Sequence, residues 1–195
     1  MARTRTYHHG NLRSALLESA ERTLGHRGVS DLSLRELARE VGVSHAAPRR
    51  HFPDKQALLD ALAEDGFERL GRELDGAMAA AGDSLRDQLG AFARAYVAFA
   101  TEHAALLELM FAGKYRPGAD RLREAADSAF AAPLALFQQA QASGEVVAGD
   151  TERVGMVALA TLQGLASLAN NGMVEDLDGM VDEAVDRLVH GLRPR

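Results

Sequence analysis

Residues 33–55 read SLRELAREVGVSHAAPRRHFPDK and hold several helix signals in close succession. Ser33 and Glu36 have the spacing of a capping box, in which two side chains satisfy free backbone N–H groups at a helix start. The leucines, alanine and valine that follow lie at helical spacing, and Gly42 stands where the chain must turn sharply. A second, shorter helix is predicted over residues 45–51. Two short helices joined by a glycine turn are the layout of a helix-turn-helix.

The predicted helix over residues 45–51 is about two turns long, so packing through Ala47 and Phe52 must hold it in place. Its other side carries hydroxyl, imidazole and guanidinium groups, which can pair with base edges and phosphates in a major groove. A plain solvated helix would explain these groups, but not their occurrence together with a capping box and a glycine turn. The candidate DNA-binding residues are Ser33, Ser44, His45, Pro48, Arg49, Arg50, His51 and Lys55.

The charge of the chain is divided unevenly along its length. Residues 1–55 carry a formal charge of +4 and five of the seven histidines, whereas residues 56–195 carry −10. A basic segment attached to an acidic one indicates that only the first meets a polyanion, because phosphate would repel the second. Chance clustering on a solvated surface is the alternative. We therefore predict a DNA-binding domain over residues 1–55 and a larger domain over residues 56–195.

The composition favours an all-α fold. Hydrophobic residues make up 47% of the chain but aromatic residues only 5%, which suits packed helices better than a sheet. The chain has no cysteine, which excludes disulfides and thiol chemistry and fits a reducing cytoplasm.

The first residues, MARTRTYHHGN, lack the apolar run of a secretory signal. We expect residues 3–10, RTRTYHHG, to form a polar tail or an arm that touches phosphate or a minor groove, and the first helix to begin near Gly10.

Helical spacing and glycine or proline breaks predict about nine helices in all. A long helix over residues 55–80 contains three glycines, which either soften it or permit close packing. A later helix over residues 119–143 is predicted to kink near Pro133, which removes a backbone donor.

Large, soft side chains concentrate between residues 92 and 137 in a chain that has few aromatic residues. Each is more often plain core, but the proline kink and a glycine loop at residues 113–118 would leave space among them for a small ligand. Tyr96, His103 and Gln163 would supply polar contacts to a mostly apolar molecule. The candidate ligand-binding residues are Phe92, Tyr96, Phe99, His103, Met110, Phe111, Phe130, Phe137, Met156, Leu159 and Gln163.

Residues 154–174 contain no charged residue. Their length could cross a bilayer, but Gln163, two asparagines and three glycines favour a helix buried in a core or in a dimer interface. Together with an amphipathic helix over residues 177–192, this segment from each of two chains could form a four-helix interface. The candidate interface residues are Leu162, Leu165, Ala166, Val181, Val185, Leu188, Val189 and Leu192.

The N-terminal third resembles the DNA-binding domain of the TetR family of bacterial transcriptional regulators. The resemblance rests on SLRELA at residues 33–38, VGVS at 41–44, and HFPDK at 51–55 followed by ALL at 57–59. It implies that a long helix links the helix-turn-helix to a ligand-binding domain, and that the last two helices form a homodimer. Arg49 departs from the family pattern, which commonly has a tyrosine there that contacts the DNA backbone.

The C-terminal half is similar, more weakly, to the subgroup with a Trp-x-x-x-His-Gly motif. The corresponding residues 159–165 read LATLQGL, so Gly164 is kept while the tryptophan and histidine are replaced. The resemblance therefore gives no ligand role to the side chains that replace them.

Motifs and resemblance together predict a cytoplasmic homodimer that binds a double-stranded DNA operator, most simply a repressor released by a small, mostly apolar effector. We expect no cofactor, no metal, no membrane partner and no enzymatic activity. Two alternatives remain: a constitutive DNA-binding regulator without ligand, and a helical small-molecule-binding protein or enzyme. Against the latter, the chain lacks G-x-S-x-G, P-loop, H-E-x-x-H and dinucleotide-binding motifs.

Overall fold

The computed structural model describes residues 12–193, and every regular element in that range is helical. Nine α-helices and two three-residue 3₁₀ helices, Val29–Asp31 and Pro48–Arg50, make up this part of the chain, which confirms the all-α fold. The predicted polar tail and the predicted helix start before residue 12 lie outside the described residues. The α-helices are α1 (Leu12–Arg27), α2 (Leu34–Val41), α3 (Lys55–Ala79), α4 (Leu85–Glu102), α5 (Ala104–Lys114), α6 (Asp120–Ala129), α7 (Ala131–Ala142), α8 (Thr151–Asn170) and α9 (Leu177–Gly191).

The chain forms two compact units whose boundary differs from a division after residue 55. The first unit extends to Gly66 and also includes Ala105–Leu122. The second unit consists of Phe67–Ala104 and the chain from Arg123 onward. Helices α3 and α6 therefore each contribute residues to both units, and the first unit contains α5 from Ala105 onward as well as the predicted helix-turn-helix.

The core of the first unit positions the predicted contact residues. Leu16 on α1, Leu37 on α2 and Phe52 before α3 are at most 2% exposed. The buried hydroxyl of Ser19 donates to a carboxylate oxygen of Glu40 at 2.6 Å, which joins α1 to α2. The apolar stripes of the two helices thus face each other, and the segment after α2 begins from a fixed point.

Two glycines of α3 lie at close helix contacts. A Cβ atom on Gly66 would come within 2.7 Å of the Sδ atom of Met110 on α5. A Cβ atom on Gly71 would lie 3.1 Å from the Cα atom of Ala129, the last residue of α6. Gly76, by contrast, has no such neighbour within 4 Å. Gly66 and Gly71 therefore permit close packing, which is one of the two roles that the sequence left open.

Helix α4 lies at the centre of the second unit, where it contacts α7, α8 and α9. Its buried face is apolar and aromatic, and its exposed edge forms two ion pairs with α9. Arg86 donates to Asp186 at 2.8 Å, and Arg94 donates to Asp182 at 2.6 Å. The charges of α4 are thus kept at the surface, away from its aromatic face.

Residues 119–143 do not form the single kinked helix that we predicted. Helix α6 ends at Ala129 and α7 begins at Ala131, so the break falls at Phe130. Pro133 is instead the third residue of α7. A backbone N–H in the first turn has no partner within the helix, so the missing donor of a proline costs little there.

No single helix among the described residues is long and apolar enough to cross a membrane. Helices α4 and α5 meet that criterion of length and composition only when they are taken together across the break at His103.

Candidate nucleic-acid interface and ligand region

Helix α2 ends in the glycine turn that the sequence predicts. Gly42 has φ 77° and ψ 32°, a left-handed conformation that residues with a Cβ atom rarely adopt. The N–H of Val43 donates to the carbonyl of Ala38 at 2.9 Å and so satisfies the end of the helix. The turn at the end of α2 therefore depends on Gly42. The start of α2 differs from the prediction: the side chain of Ser33 makes no cap hydrogen bond, so the predicted capping box is wrong.

Residues 44–51, which we call the contact segment, are more tightly wound than the α-helix that we predicted. Pro48–Arg50 forms a 3₁₀ helix, and the residues before it form turns. The bonds from Ala47 N–H to the Ser44 carbonyl, 2.9 Å, and from Arg50 N–H to the Ala47 carbonyl, 3.2 Å, span three residues rather than four. Pro48 contributes to this difference because it has no N–H to donate to Ser44.

Pro48 and Phe52 hold the contact segment against the core of the first unit. Pro48 is buried, and Phe52 is only 2% exposed. The guanidinium carbon of Arg13 on α1 lies 5.8 Å from the centre of the Phe52 ring. Pro48, which we predicted as a DNA contact, therefore packs inside the unit and does not present its side chain to a partner.

The remaining predicted residues of the contact segment are exposed, and some of them line an open cleft. The exposed residues are Ser44, His45, Arg49, Arg50 and His51. The cleft is lined by Leu32, Ser33, Leu34, Arg35, His45, Arg49, Pro53, Asp54 and Lys55. It thus brings together residues from the start of α2, the contact segment and the start of α3, and it does not include Ser44, Arg50 or His51.

Arg35 is a member of the cleft that our sequence prediction of the site missed. It lies in the first turn of α2 and is exposed. Its position beside Ser33 in SLRE, off the apolar stripe of the helix, was the available signal. A cation there is suited to a phosphate contact.

The cleft carries an excess of positive charge. Arg35, Arg49 and Lys55 line it with one carboxylate, Asp54. The Oδ1 atom of Asp54 accepts the Ala57 N–H at 2.8 Å and so caps the start of α3. The Nζ atom of Lys55 donates to the carbonyl of Ser30 at 3.1 Å, in an exposed position. Three cations against one engaged carboxylate make the cleft a suitable place for phosphate groups.

The predicted ligand-binding residues divide between the two units. Met110 and Phe111 belong to the first unit, where Met110 packs beside Gly66. Within the second unit, the aromatic rings gather on the buried face of α4 and near the start of α7. The ring centroids of Phe92 and Tyr96 are 6.1 Å apart, and those of Tyr96 and Phe130 are 6.3 Å apart.

Two further predicted residues of the second unit, Phe99 and Phe137, are buried at 1% exposure. The ring centroid of His103 lies 4.8 Å from that of Phe99, and the His103 Nε2 atom is 3.1 Å from the Nη2 atom of Arg69. Met156 and Gln163, in contrast, are exposed on α8, and Leu159 is half-buried. The structure therefore does not bring Met156 and Gln163 into the aromatic cluster of α4.

The hydroxyl of Tyr96 is the unusual polar group of this cluster. The side chain is fully buried, and its Oη atom has no hydrogen-bond partner among the described residues. Burial raises the pKa of the Tyr96 hydroxyl well above its usual range. The phenol is therefore held neutral.

The candidate interface residues on α8 and α9 are mostly core residues of the second unit. Leu162, Leu165, Ala166, Val181 and Val185 are at most 8% exposed, while Leu188, Val189 and Leu192 are half-buried. The opposite face of α8 is exposed and entirely uncharged; it consists of Met156, Val157, Ala160, Gln163, Gly164, Ser167 and Leu168. Leu162, Leu165 and Ala166 thus pack inside the second unit, while the other uncharged face of α8 is exposed.

No group of three histidine or carboxylate side chains able to hold a metal ion occurs within residues 12–193.

Two family models match the chain, and together they cover most of it. The model described as "Bacterial regulatory proteins, tetR family" matches residues 16–62. The model described as "Tetracyclin repressor-like, C-terminal domain" matches residues 89–192.

Similar proteins include curated regulators and a solved structure. The HTH-type transcriptional regulator BetI of Brucella canis is 36% identical over 66 residues, which span 34% of this chain and 33% of that protein. The tetracycline repressor protein class D of Escherichia coli is 34% identical over 91 residues, which span 45% of this chain and 40% of the repressor. The match thus spans between a third and two fifths of the length of these relatives. The structure of a protein of unknown function from Rhodococcus sp. RHA1 is 46% identical, covers 98% of this chain and 100% of its own, and has a TM-score of 0.90.

Proposed function

Because the chain belongs to the TetR family of bacterial regulatory proteins, we propose that it is a sequence-specific DNA-binding transcriptional regulator. The observation that carries the proposal is the cationic cleft beside the exposed contact segment, both of which lie on the helix-turn-helix matched by the N-terminal family model. Members of this family are regulators and not enzymes. A chromosomal operator as partner would place the protein in the cytoplasm.

The exposed side chains divide into two kinds of DNA contact. His45, Arg49 and Arg50 belong to the contact segment, where guanidinium and imidazole groups can reach base edges in a major groove and where Arg49 can also pair with a neighbouring phosphate. Arg35 and Lys55 flank that segment at the starts of α2 and α3, where they would pair with phosphates and fix the register. The bond from Lys55 to the Ser30 carbonyl is exposed and can be exchanged for a phosphate contact.

The protein acts, in this proposal, as a homodimer that uses the exposed face of α8. Seven residues of that face are uncharged, and three of them, Met156, Val157 and Leu168, are large, apolar and at least 41% exposed. Met180 on α9 and Met173 before it add exposed apolar surface. From Val154 onward, α8 carries no charge on any side and needs cover on every side, which a second copy of the chain would supply.

Regulation would come from a small effector that binds the second unit and disfavours the DNA-binding arrangement of the dimer. The helix-turn-helix segments of the two protomers must reach successive major grooves, roughly 34 to 36 Å apart or a multiple of that distance. A shift of the population from about 1:99 to 99:1 takes about 5.5 kcal/mol of differential affinity. Two effector molecules per dimer can share that free energy. Helix α3 is a continuous element that contributes residues to both units.

Selection from a random double-stranded DNA library tests DNA binding and identifies the operator in the same experiment. The wild-type protein should enrich an inverted repeat whose half-sites are about 10 base pairs apart, centre to centre, or a multiple. A double variant, Arg49→Ala with Arg50→Ala, serves as the matched control because both side chains are exposed and their loss leaves the core unchanged. Equal recovery of all sequences by the wild-type protein would exclude the proposed function.

A further inference from the structure

The hydroxyl of Tyr96 is an unusual polar group in the core of the second unit. Its Oη atom is buried without a hydrogen-bond partner among the described residues, and the whole residue is 0% exposed. Buried polar groups in proteins are almost always hydrogen-bonded, because an unmade bond leaves the desolvation of the donor uncompensated. A phenylalanine would fill nearly the same volume without that penalty.

The ring of Tyr96 lies beside two other aromatic rings. The rings of Phe92 and Phe130 lie 6.1 and 6.3 Å from the Tyr96 ring, centroid to centroid. Helix α7, which begins directly after Phe130, contains no charged residue. These rings would contact the apolar body of a ligand whose polar atom meets the hydroxyl.

The arginine side chains of α4 lie at the protein surface and not beside Tyr96 in the core. Arg86 and Arg94 are exposed and bonded to Asp186 and Asp182 of α9. Burial is the cause that raises the pKa of the Tyr96 hydroxyl. A carboxylate or ammonium group beside this hydroxyl would therefore lose its hydration without gaining a counter-ion.

We propose that the Tyr96 hydroxyl is the hydrogen-bond donor for a neutral acceptor, such as a carbonyl oxygen, on an otherwise apolar effector. The proposal rests on the proposed function, since it names the chemical class of the molecule that releases the regulator from DNA. A phenol is a better donor than acceptor, and the carbonyl oxygen has no proton to offer in return. Aryl or alkyl ketones, esters and lactones belong to this class; fatty acids and amines do not.

Matched pairs of compounds test the hydrogen bond directly. The ketones acetophenone to octanophenone are compared with the corresponding 2-phenyl-1-alkenes, in which a CH₂ group replaces the carbonyl oxygen at nearly the same shape. Binding to the full-length protein is measured by isothermal titration and by the shift of the unfolding temperature. At least one ketone should bind the wild-type protein about three- to tenfold more tightly than its alkene, the ratio expected for one neutral hydrogen bond.

The variant Tyr96→Phe should abolish that preference while leaving the affinity for the alkene unchanged. Its unfolding temperature without ligand should equal or exceed that of the wild type, because the unpaired donor is gone. Tyr115→Phe is the matched control, since Tyr115 is 76% exposed and its loss should leave the ratio unchanged. An equal ratio in wild type and Tyr96→Phe, or no ketone preference anywhere in the series, would overturn the proposal.

A second measurement separates failure of this inference from failure of the proposed function. Operator binding by the wild-type protein is titrated without and with the tightest ketone. Loss of DNA binding on ketone addition supports both proposals. Specific DNA binding that no ketone weakens overturns the effector assignment alone, whereas absence of specific DNA binding overturns the proposed function whatever the ketones do.

Discussion

Arg49 shows what a single residue of the contact segment contributes and how far its role follows from the sequence. Its charge predicted an exposed side chain, and the structure places it in the cleft with Arg35 and Lys55. The neighbouring Pro48 could not be assigned in this way, because its burial depends on packing beside Phe52 that no local pattern encodes. The exposure of the charged residue could thus be predicted from the sequence, whereas the burial of Pro48 became clear only from the folded structure.

The substitution Arg49→Tyr tests whether this side chain meets phosphate. Tyrosine is the usual family residue and can keep a hydrogen bond, but it removes one cation. We expect the slope of log affinity against log salt to become less steep by about one unit. Fluorescence anisotropy with the selected operator at several salt concentrations measures the slope. Arg72→Tyr, an exposed arginine on α3 in the second unit, is the control and should leave it unchanged.

Tyr96 should make the protein sensitive to high pH. Its pKa is raised in the folded protein, while the unfolded chain has a tyrosine pKa of about 10. Below that pH the phenol is neutral in both states and does not make stability depend on pH. Above it the unfolded chain releases the proton more easily than the folded protein, so the free energy of unfolding falls as the pH rises. Urea midpoints between pH 8 and 11 should fall less in Tyr96→Phe than in wild type. Tyr115→Phe should follow the wild type, and the same decline in all three proteins would refute the assignment.

At the level of elements, periodicity predicted most helices but not their breaks or the partner of each face. The helix after residue 119 was predicted to bend at Pro133, yet the break falls at Phe130, three residues earlier. A proline disturbs a helix only after its first turn, and the sequence does not say where that turn begins. For α8, both faces are apolar, so hydrophobicity alone could not identify which one packs against α4.

Two glycines of α3 give a matched test of close packing. Gly71→Ala would place a methyl group 3.1 Å from the backbone Cα of Ala129, and we expect a loss of about 1–3 kcal/mol in the free energy of unfolding. Gly76→Ala meets no atom within 4 Å and should instead stabilise the protein by about 0.5–1 kcal/mol through helix propensity. Urea denaturation compares the two variants. Stabilisation by both would mean that α3 and α6 are not packed as described.

At the level of the whole molecule, the division into units could not be read from the charge pattern. The boundary predicted after residue 55 follows charge, whereas the first unit continues to Gly66 and takes in Ala105–Leu122. That grouping arises from contacts between residues far apart in sequence, such as the ion pair of Arg116 with Asp60. The linear sequence therefore located the cationic segment but not the full unit that supports it.

Substitutions on the two faces of α8 should separate dissociation from unfolding. Val157→Glu with Leu168→Glu places charges on the exposed face, and we expect folded monomers by sedimentation velocity. Leu162→Glu buries a charge at a residue that is 0% exposed and should unfold the chain, as followed by circular dichroism. Val147→Glu, 46% exposed outside α8, is the control and should stay dimeric. A folded dimer of the Val157 and Leu168 variant would place the interface elsewhere.

A single comparison of affinities tests whether the contact segment reads DNA sequence. The affinity of the wild-type protein for its selected operator and for a scrambled duplex of the same composition is measured at one fixed salt concentration. We predict a preference of at least about 10³ for the operator, which falls at least tenfold in the double variant Arg49→Ala with Arg50→Ala. The same preference in wild type and variant would show that these residues do not read the operator and would contradict the account.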